Sequence, residues 1–178
     1  KYSTKDLGIN PGQLKKAISR IKKAIEEKER IVVWGDYDVD GICAAGVLWE
    51  TLHFLDAKVL PFIPSRFTEG YGLNVESIKK LKEEDPNLGL LLTVDHGITG
   101  NDKVDFAKEL GIDVIVTDHH EPGEDLPGAL AVVHTTKISG SAVAWVLASK
   151  LAQIRRTKHE ARNLPSDHLG LVCLGTVA

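Results

Sequence analysis

The sequence predicts an α/β fold, a mostly parallel five-stranded sheet with helices on both faces. Three observations predict it. Short apolar runs of four to six residues recur along the chain. Between them lie stretches of about ten residues or more with helical spacing, the length a crossover between parallel strands requires. Gly, Pro and Asn punctuate the boundaries.

The elements follow in order. Gln13 to Lys28 places Leu14, Ala17, Ile18, Ile21, Ala24 and Ile25 on one stripe opposite Lys, Arg and Glu, which is an amphipathic helix. Ile31-Val32-Val33-Trp34 is a buried-type strand ended by Gly35-Asp36. Gly41 to Leu55 is apolar enough for a well-buried helix, thinned by Ala44, Ala45 and Gly46 for close packing, with Cys43, Trp49 and His53 expected in its packed surface. Lys58 to Ile63 is a second strand, stopped by Pro64. Val75 to Glu84 is a helix closed by Pro86-Asn87. Gly89 to Val94 is a third strand, and Asp102 to Leu110 a helix with Gly111 as its C-cap. Ile112 to Thr117 and Leu130 to Val133 are the fourth and fifth strands. Ser139 to Ile154 is the last long helix, with Trp145 packed. Residues 155–168 are polar, a loop or short helix in which His159 and His168 are expected to be solvated.

Composition bounds the rest. The chain has 178 residues, 43% hydrophobic and 26% charged, which excludes a disordered, collagen-like or coiled-coil protein. No run of 18 apolar residues occurs and no secretory leader opens the sequence, so neither a membrane span nor export is expected. Two cysteines, Cys43 and Cys173, provide no disulfide framework, which fits the cytoplasm. Methionine is absent, as expected of a fragment of a longer product.

The net charge of −3 conceals a pattern. Residues 1–30 carry nine Lys and Arg against four acids, residues 31–149 carry eight against nineteen, and residues 150–162 carry five against one. A simple basic nucleic-acid binder would not concentrate acids in its centre.

Three predicted strands run into acids or histidines: Gly35-Asp36-Tyr37-Asp38-Val39-Asp40-Gly41, Asp95-His96-Gly97, and Asp118-His119-His120. In an open parallel sheet these carboxyl ends share one edge, where ligands bind. So many converging carboxylates repel unless cations sit among them. Carboxylate with imidazole suits Mg or Mn, the imidazoles favouring Mn. One carboxylate bridging two ions about 4 Å apart makes a phosphoester-hydrolysing site. A calcium loop beginning at Asp36 is excluded, because its twelfth position is Val47 rather than Glu.

GDYDVDG, TVDHGIT and TDHH resemble the first three signatures of the DHH phosphoesterase superfamily. IPSRFTEGYGL (63–73) and LGLVCLGTVA (169–178) resemble its RecJ branch of single-strand-specific 5′→3′ exonucleases. The resemblance implies a metal-dependent phosphodiesterase acting on single-stranded DNA in repair and recombination. It implies that residues 1–178 are a single DHH domain ending one residue short of the fourth motif, without the substrate-binding domain that normally follows. It implies two Mn²⁺ or Mg²⁺ ions, with Asp38, Asp40, Asp95 and His119 as ligands and Asp95 bridging. His120 joins these in the catalytic set. Asp36, Asp118 and His96 are ligands or groups supporting them.

Arg66 is the expected phosphate clamp, since its planar fork matches phosphate oxygens. Gly70 and Gly72 would let the backbone approach a nucleotide, with Tyr71 either stacking on a base or packing inward in a tight surface turn. Ser139-Gly140-Ser141 opens a helix whose N–H groups suit a phosphate; ordinary capping by Ser139 accounts for the same residues. Trp34, His96 and His134-Thr135-Thr136-Lys137 depart from the family pattern, and a metal or hydrogen-bonding role for Trp34 is not expected. A histidine at position 96 resembles the pyrophosphatase and short-oligonucleotide relatives. The alternatives are therefore a pyrophosphatase, oligoribonuclease or cyclic-dinucleotide phosphodiesterase of the same superfamily, or a non-catalytic replication scaffold.

Overall fold

The computed structural model describes residues 3–67, 69–155 and 164–178. Helix α1 (Pro11–Glu26) leads into strand β1 (Arg30–Trp34), followed by α2 (Val39–Phe54), β2 (Lys58–Phe62), α3 (Val75–Glu84), β3 (Leu88–Val94) and α4 (Asn101–Glu109). Then come β4 (Asp113–Asp118), β5 (Ala131–His134), α5 (Gly140–Leu151), a 3₁₀ turn (Ala152–Arg155), α6 (Leu164–Asp167) and α7 (Leu169–Val177).

The sheet order is β2-β1-β3-β4-β5, and every neighbouring pair is parallel. Alternating side chains divide the core into two layers, as strand pleating requires. Ile31, Val33, Leu90, Leu92, Val94 and Ile115 face α1, α2 and α5. Val32, Trp34, Leu88, Leu91, Val114 and Val116 face α3 and α4. Helices therefore cover both faces, as expected from strands apolar on both sides.

Helix boundaries shift where capping chemistry decides them. Asn10 accepts hydrogen bonds from Gly12 N (2.8 Å) and Gln13 N (3.3 Å), so α1 starts at Pro11 rather than at the first apolar residue. Asp38 caps α2 by accepting from Gly41 N at 2.8 Å, which carries the helix start back to Val39.

Three bland expectations need correction. His168 is buried rather than solvated, with Nε2 2.9 Å from a carboxylate oxygen of Glu50 on α2. His53 is exposed rather than packed, and stacks on the partly exposed Trp49 with ring centroids 5.7 Å apart. Trp49 is thus exposed rather than packed, whereas Trp145 is partly buried and packs against the core as expected. Cys43 is buried, as expected of a small core residue. His159 lies outside the described residues. Among the described residues no helix is long and apolar enough to cross a membrane.

Candidate metal centre

Asp36 follows β1, Asp95 follows β3 and Asp118 ends β4, so three adjacent parallel strands deliver their acids to one edge. The β2-β1-β3 order reverses direction at β1/β3, which opens the crevice where doubly wound sheets bind ligands. The backbone there is shaped for the purpose. Asp95 has φ +64° and Gly97 φ +107°, turning the chain sharply back at the end of β3. Asp95 N donates to Thr117 O (2.9 Å), Thr117 Oγ1 to Thr93 O (2.8 Å) and Thr93 Oγ1 to His96 O (2.8 Å). These bonds tie the ends of β3 and β4 together.

The two β-end acids live under opposite conditions. Asp118 Oδ1 accepts from His119 N (2.7 Å), His120 N (3.1 Å) and His120 Nδ1 (2.7 Å), while Oδ2 accepts from Ile98 N (2.9 Å). Burial pushes its pKa up, but the Ile98 and His120 bonds outweigh that and hold it below the ordinary value. Asp95 Oδ1 is buried and accepts no hydrogen bond among the described residues, although His119 Nε2 lies 3.2 Å away. Burial, then the charges of Asp40, Asp38, Asp118 and Asp36, push the Asp95 carboxyl up to about 9. Asp36 is raised as well, chiefly by burial.

A buried carboxylate oxygen that accepts no hydrogen bond, set among other acids, is suited to ligate a cation. The donors fit one. Asp36, Asp38 and Asp95 have ligand atoms within 4.8 Å of one another, and so do Asp95, His119 and His120. Asp95 belongs to both sets. With its Nδ1–H held by Asp118, His120 presents the bare Nε2 that a ligand needs.

Asp40 lies outside both three-ligand sets. Its Oδ2 accepts from Gly140 N (2.7 Å) and its Oδ1 from Ser141 N (2.8 Å), so it sits on the N-terminus of α5. It stays beside the cluster, with Oδ2 3.7 Å from His119 Nε2. The expected phosphate cradle at Ser139-Gly140-Ser141 is thereby corrected: the N–H groups of Gly140 and Ser141 are engaged by a carboxylate of this chain. Ser139 caps α5 through Ala142 N (3.3 Å) and meets Thr176 of α7 at 2.9 Å. Gly140 has no room for a side chain, since a Cβ there would overlap the Asp95 carboxylate. At Gly175 a Cβ would meet Ser141 Oγ at 2.5 Å and Asp40 Oδ1 at 2.7 Å.

Set against known families, residues 30–176 match the DHH family, N-terminal domain. The chain belongs to this family. As a DHH-family domain it is 41% identical over 174 residues to the single-stranded-DNA-specific exonuclease RecJ of Bacillus subtilis, a match covering 93% of this chain and 21% of that protein. The Thermus thermophilus RecJ is 38% identical, again over 93% of this chain and 24% of that one. A crystal structure of exonuclease RecJ bound to manganese superimposes with a TM-score of 0.81 at 36% identity, covering 93% of this chain and 43% of that chain. The chain spans about a fifth to a quarter of the length of these two curated relatives.

Around this DHH-family centre stands a rim that the sequence showed only in part. Arg66 is exposed, with its guanidinium 5.1 Å from the centre of the Tyr37 ring. Tyr71 meets Tyr37 edge-on at 6.4 Å and His96 at 6.4 Å. Burial and the charges of Asp36, Asp118, Asp95 and Asp38 raise its hydroxyl pKa. Phe67, beside Arg66, is 96% exposed. Tyr37 and Phe67 were missed; Phe67 directly follows Arg66, whereas nothing local in the sequence ties Tyr37 to it.

His96 is outside both ligand sets. Its Nε2 donates to Trp34 O at 3.0 Å, and burial drives its pKa down to about 4, so the ring is neutral. Trp34 does hydrogen-bond, contrary to expectation: its indole N–H donates to Gly72 O at 3.2 Å. His134 Nε2 donates to His120 O at 2.7 Å and supports the turn that carries the two histidines.

Proposed function

We propose that the protein is a two-metal phosphodiesterase that hydrolyses single-stranded DNA from its 5′ end, in DNA repair and recombination in the cytoplasm. The observation carrying this reading is Asp95, a buried carboxylate common to two three-ligand sets with one oxygen lacking any hydrogen bond. Its likeness to RecJ proteins, including one bound to manganese, supports the substrate and the metal.

Two Mn²⁺ or Mg²⁺ ions would supply Lewis acidity at the phosphate and lower the pKa of an attacking water. Asp36, Asp38 and Asp95 would hold one, and Asp95, His119 and His120 the other. Asp40, held by α5, adds negative charge next to His119 and fixes the distance between that helix and the cluster. Asp118 fixes the His120 tautomer, because a carboxylate can only accept and the proton must stay on Nδ1. Arg66 is exposed at the rim, where its fork would take the phosphate oxygens of an incoming strand. Tyr71 and Tyr37 offer ring faces to its terminal bases.

His96 was the residue favouring a pyrophosphatase or dinucleotide hydrolase. Its engagement with Trp34, away from both ligand sets, removes that support. Retention of Asp38, Asp40, Asp95 and His119 speaks against a non-catalytic scaffold.

The test uses the protein as its gene encodes it, supplied with manganese. It should shorten 5′-labelled single strands and spare duplexes, and Asp95→Ala should abolish this. Preferential hydrolysis of pyrophosphate or dinucleotides would overturn the reading.

A further inference from the structure

The Gly70-Tyr71-Gly72 turn has little to hold it where it stands. Both glycines have positive φ, +77° and +72°, and a Cβ added at Gly70 would meet nothing within 4 Å among the described residues. Tyr71 is more exposed than buried and lies edge-on to Tyr37 and His96. Upstream, Glu69 fixes the loop by accepting from Ser65 N (2.8 Å) and Ser77 Oγ (2.5 Å). On the side facing the metal centre, the Trp34 indole N–H provides the bond, donating to Gly72 O.

Trp34 is fully buried at the end of β1, and its ring packs against Phe62 of β2 at 4.4 Å. Its carbonyl accepts from His96, the residue directly after Asp95. A carbonyl can only accept, so the His96 proton is on Nε2 and the ring is oriented by that bond. One chain of contacts thus runs from the floor of the metal centre through His96 and Trp34 to the Tyr71 turn, and on through Tyr37 to Arg66.

We propose that Trp34 and His96 are positioning residues that fix the Tyr71 turn over the carboxylate cluster, and that they set how tightly a strand end is held rather than how fast its bond is cut. The proposal rests on the phosphodiesterase reading above. Neither residue belongs to a ligand set, and neither the His96–Trp34 nor the Trp34–Gly72 bond is made to a ligand residue, so manganese affinity is expected to stay unchanged.

The experiment compares wild type, Trp34→Phe, His96→Leu and His96→Gln in the whole protein, with manganese and a single-stranded oligonucleotide. Phe keeps most of the buried ring but lacks the N–H. Leu fills the imidazole site without a donor, and Gln places an N–H close to the position of Nε2. Loss of one such bond corresponds to about a two- to tenfold effect. Trp34→Phe and His96→Leu should raise KM by that factor, with kcat and manganese affinity unchanged, and His96→Gln should restore KM. Unchanged KM in both, or a fall in kcat or manganese affinity equal to the rise in KM, would overturn the positioning role. If Trp34→Phe does not fold, the His96 pair decides alone. A wild type inactive on single strands would remove both readings; an active wild type with insensitive variants would remove only this one.

Discussion

Asp95 and Asp118 are each 1% exposed, yet their protonation is driven in opposite directions. Asp118 is satisfied by four hydrogen bonds and stays charged. Asp95 has an oxygen without one and faces like charges, so in the metal-free protein it holds its proton. The support that Asp118 gives His120, and the bridge between two ions proposed for Asp95, both rest on that difference.

The stability of the metal-free protein should therefore depend on pH through Asp95. Its folded pKa, about 9, is above the ordinary 3.8, so between these values the folded chain binds more protons than the unfolded one. Stability from this group is then lost progressively as pH rises through that window, and below it the group contributes nothing. Asp95→Asn should raise the melting temperature at pH 8 by about 2–4 °C for each kcal/mol relieved, and leave it nearly unchanged at pH 4. An equal effect at both pH values would contradict the assignment.

Metal entry must displace that proton. Calorimetric titration with manganese at pH 7, run in two buffers of different ionisation heat, should report about one proton released as the Asp95 sites fill. Release should vanish in Asp95→Asn. Identical heats in the two buffers for wild type would mean that Asp95 is already ionised.

At Gly140 the absence of a side chain is a structural requirement. Gly140→Ala should cost about 1–3 kcal/mol by overpacking and weaken manganese binding at least tenfold, because the new methyl displaces the Asp95 carboxylate. Ser139→Ala, which removes the cap and the hydroxyl contacts with Ser141 and Thr176, should cost about 1 kcal/mol and spare metal binding. Normal manganese affinity in Gly140→Ala would refute this crowding.

His134 supports the histidine turn through the carbonyl of His120. His134→Ala should lower manganese affinity by about 10- to 100-fold, the usual effect of losing a group that orients ligands. Binding within twofold of wild type would show the turn to be rigid without it.

Much of this was legible in the sequence for physical reasons. Strand and helix periods gave the sheet, and Asp36, Asp95 and Asp118 declared themselves by following apolar runs in parallel order. Three things were not legible. The partnership of Asp40 with Gly140 and Ser141 spans a hundred residues, and no local pattern encodes it. Helix α7 is apolar, without capping chemistry at His168, so it carried no start signal. The burial of His168 depends on Glu50, which lies on another helix. Likewise Trp34 and His96 read as irregularities in a motif until the sheet placed them side by side.

The grip of α5 on Asp40 also bears on how the protein is made. Asp40 closes its bonds with residues 140 and 141, and Gly175 of α7 then packs over them. A growing chain that has just released its first acidic motif has nothing to set that carboxylate, and contacts of such long reach form late in folding. The centre is therefore incomplete until residues 140 and 141 have been made, and a polypeptide interrupted between residues 118 and 140 carries the acids without the geometry. Cutting the domain within that interval and supplying the halves separately would make the metal site conditional on their reunion.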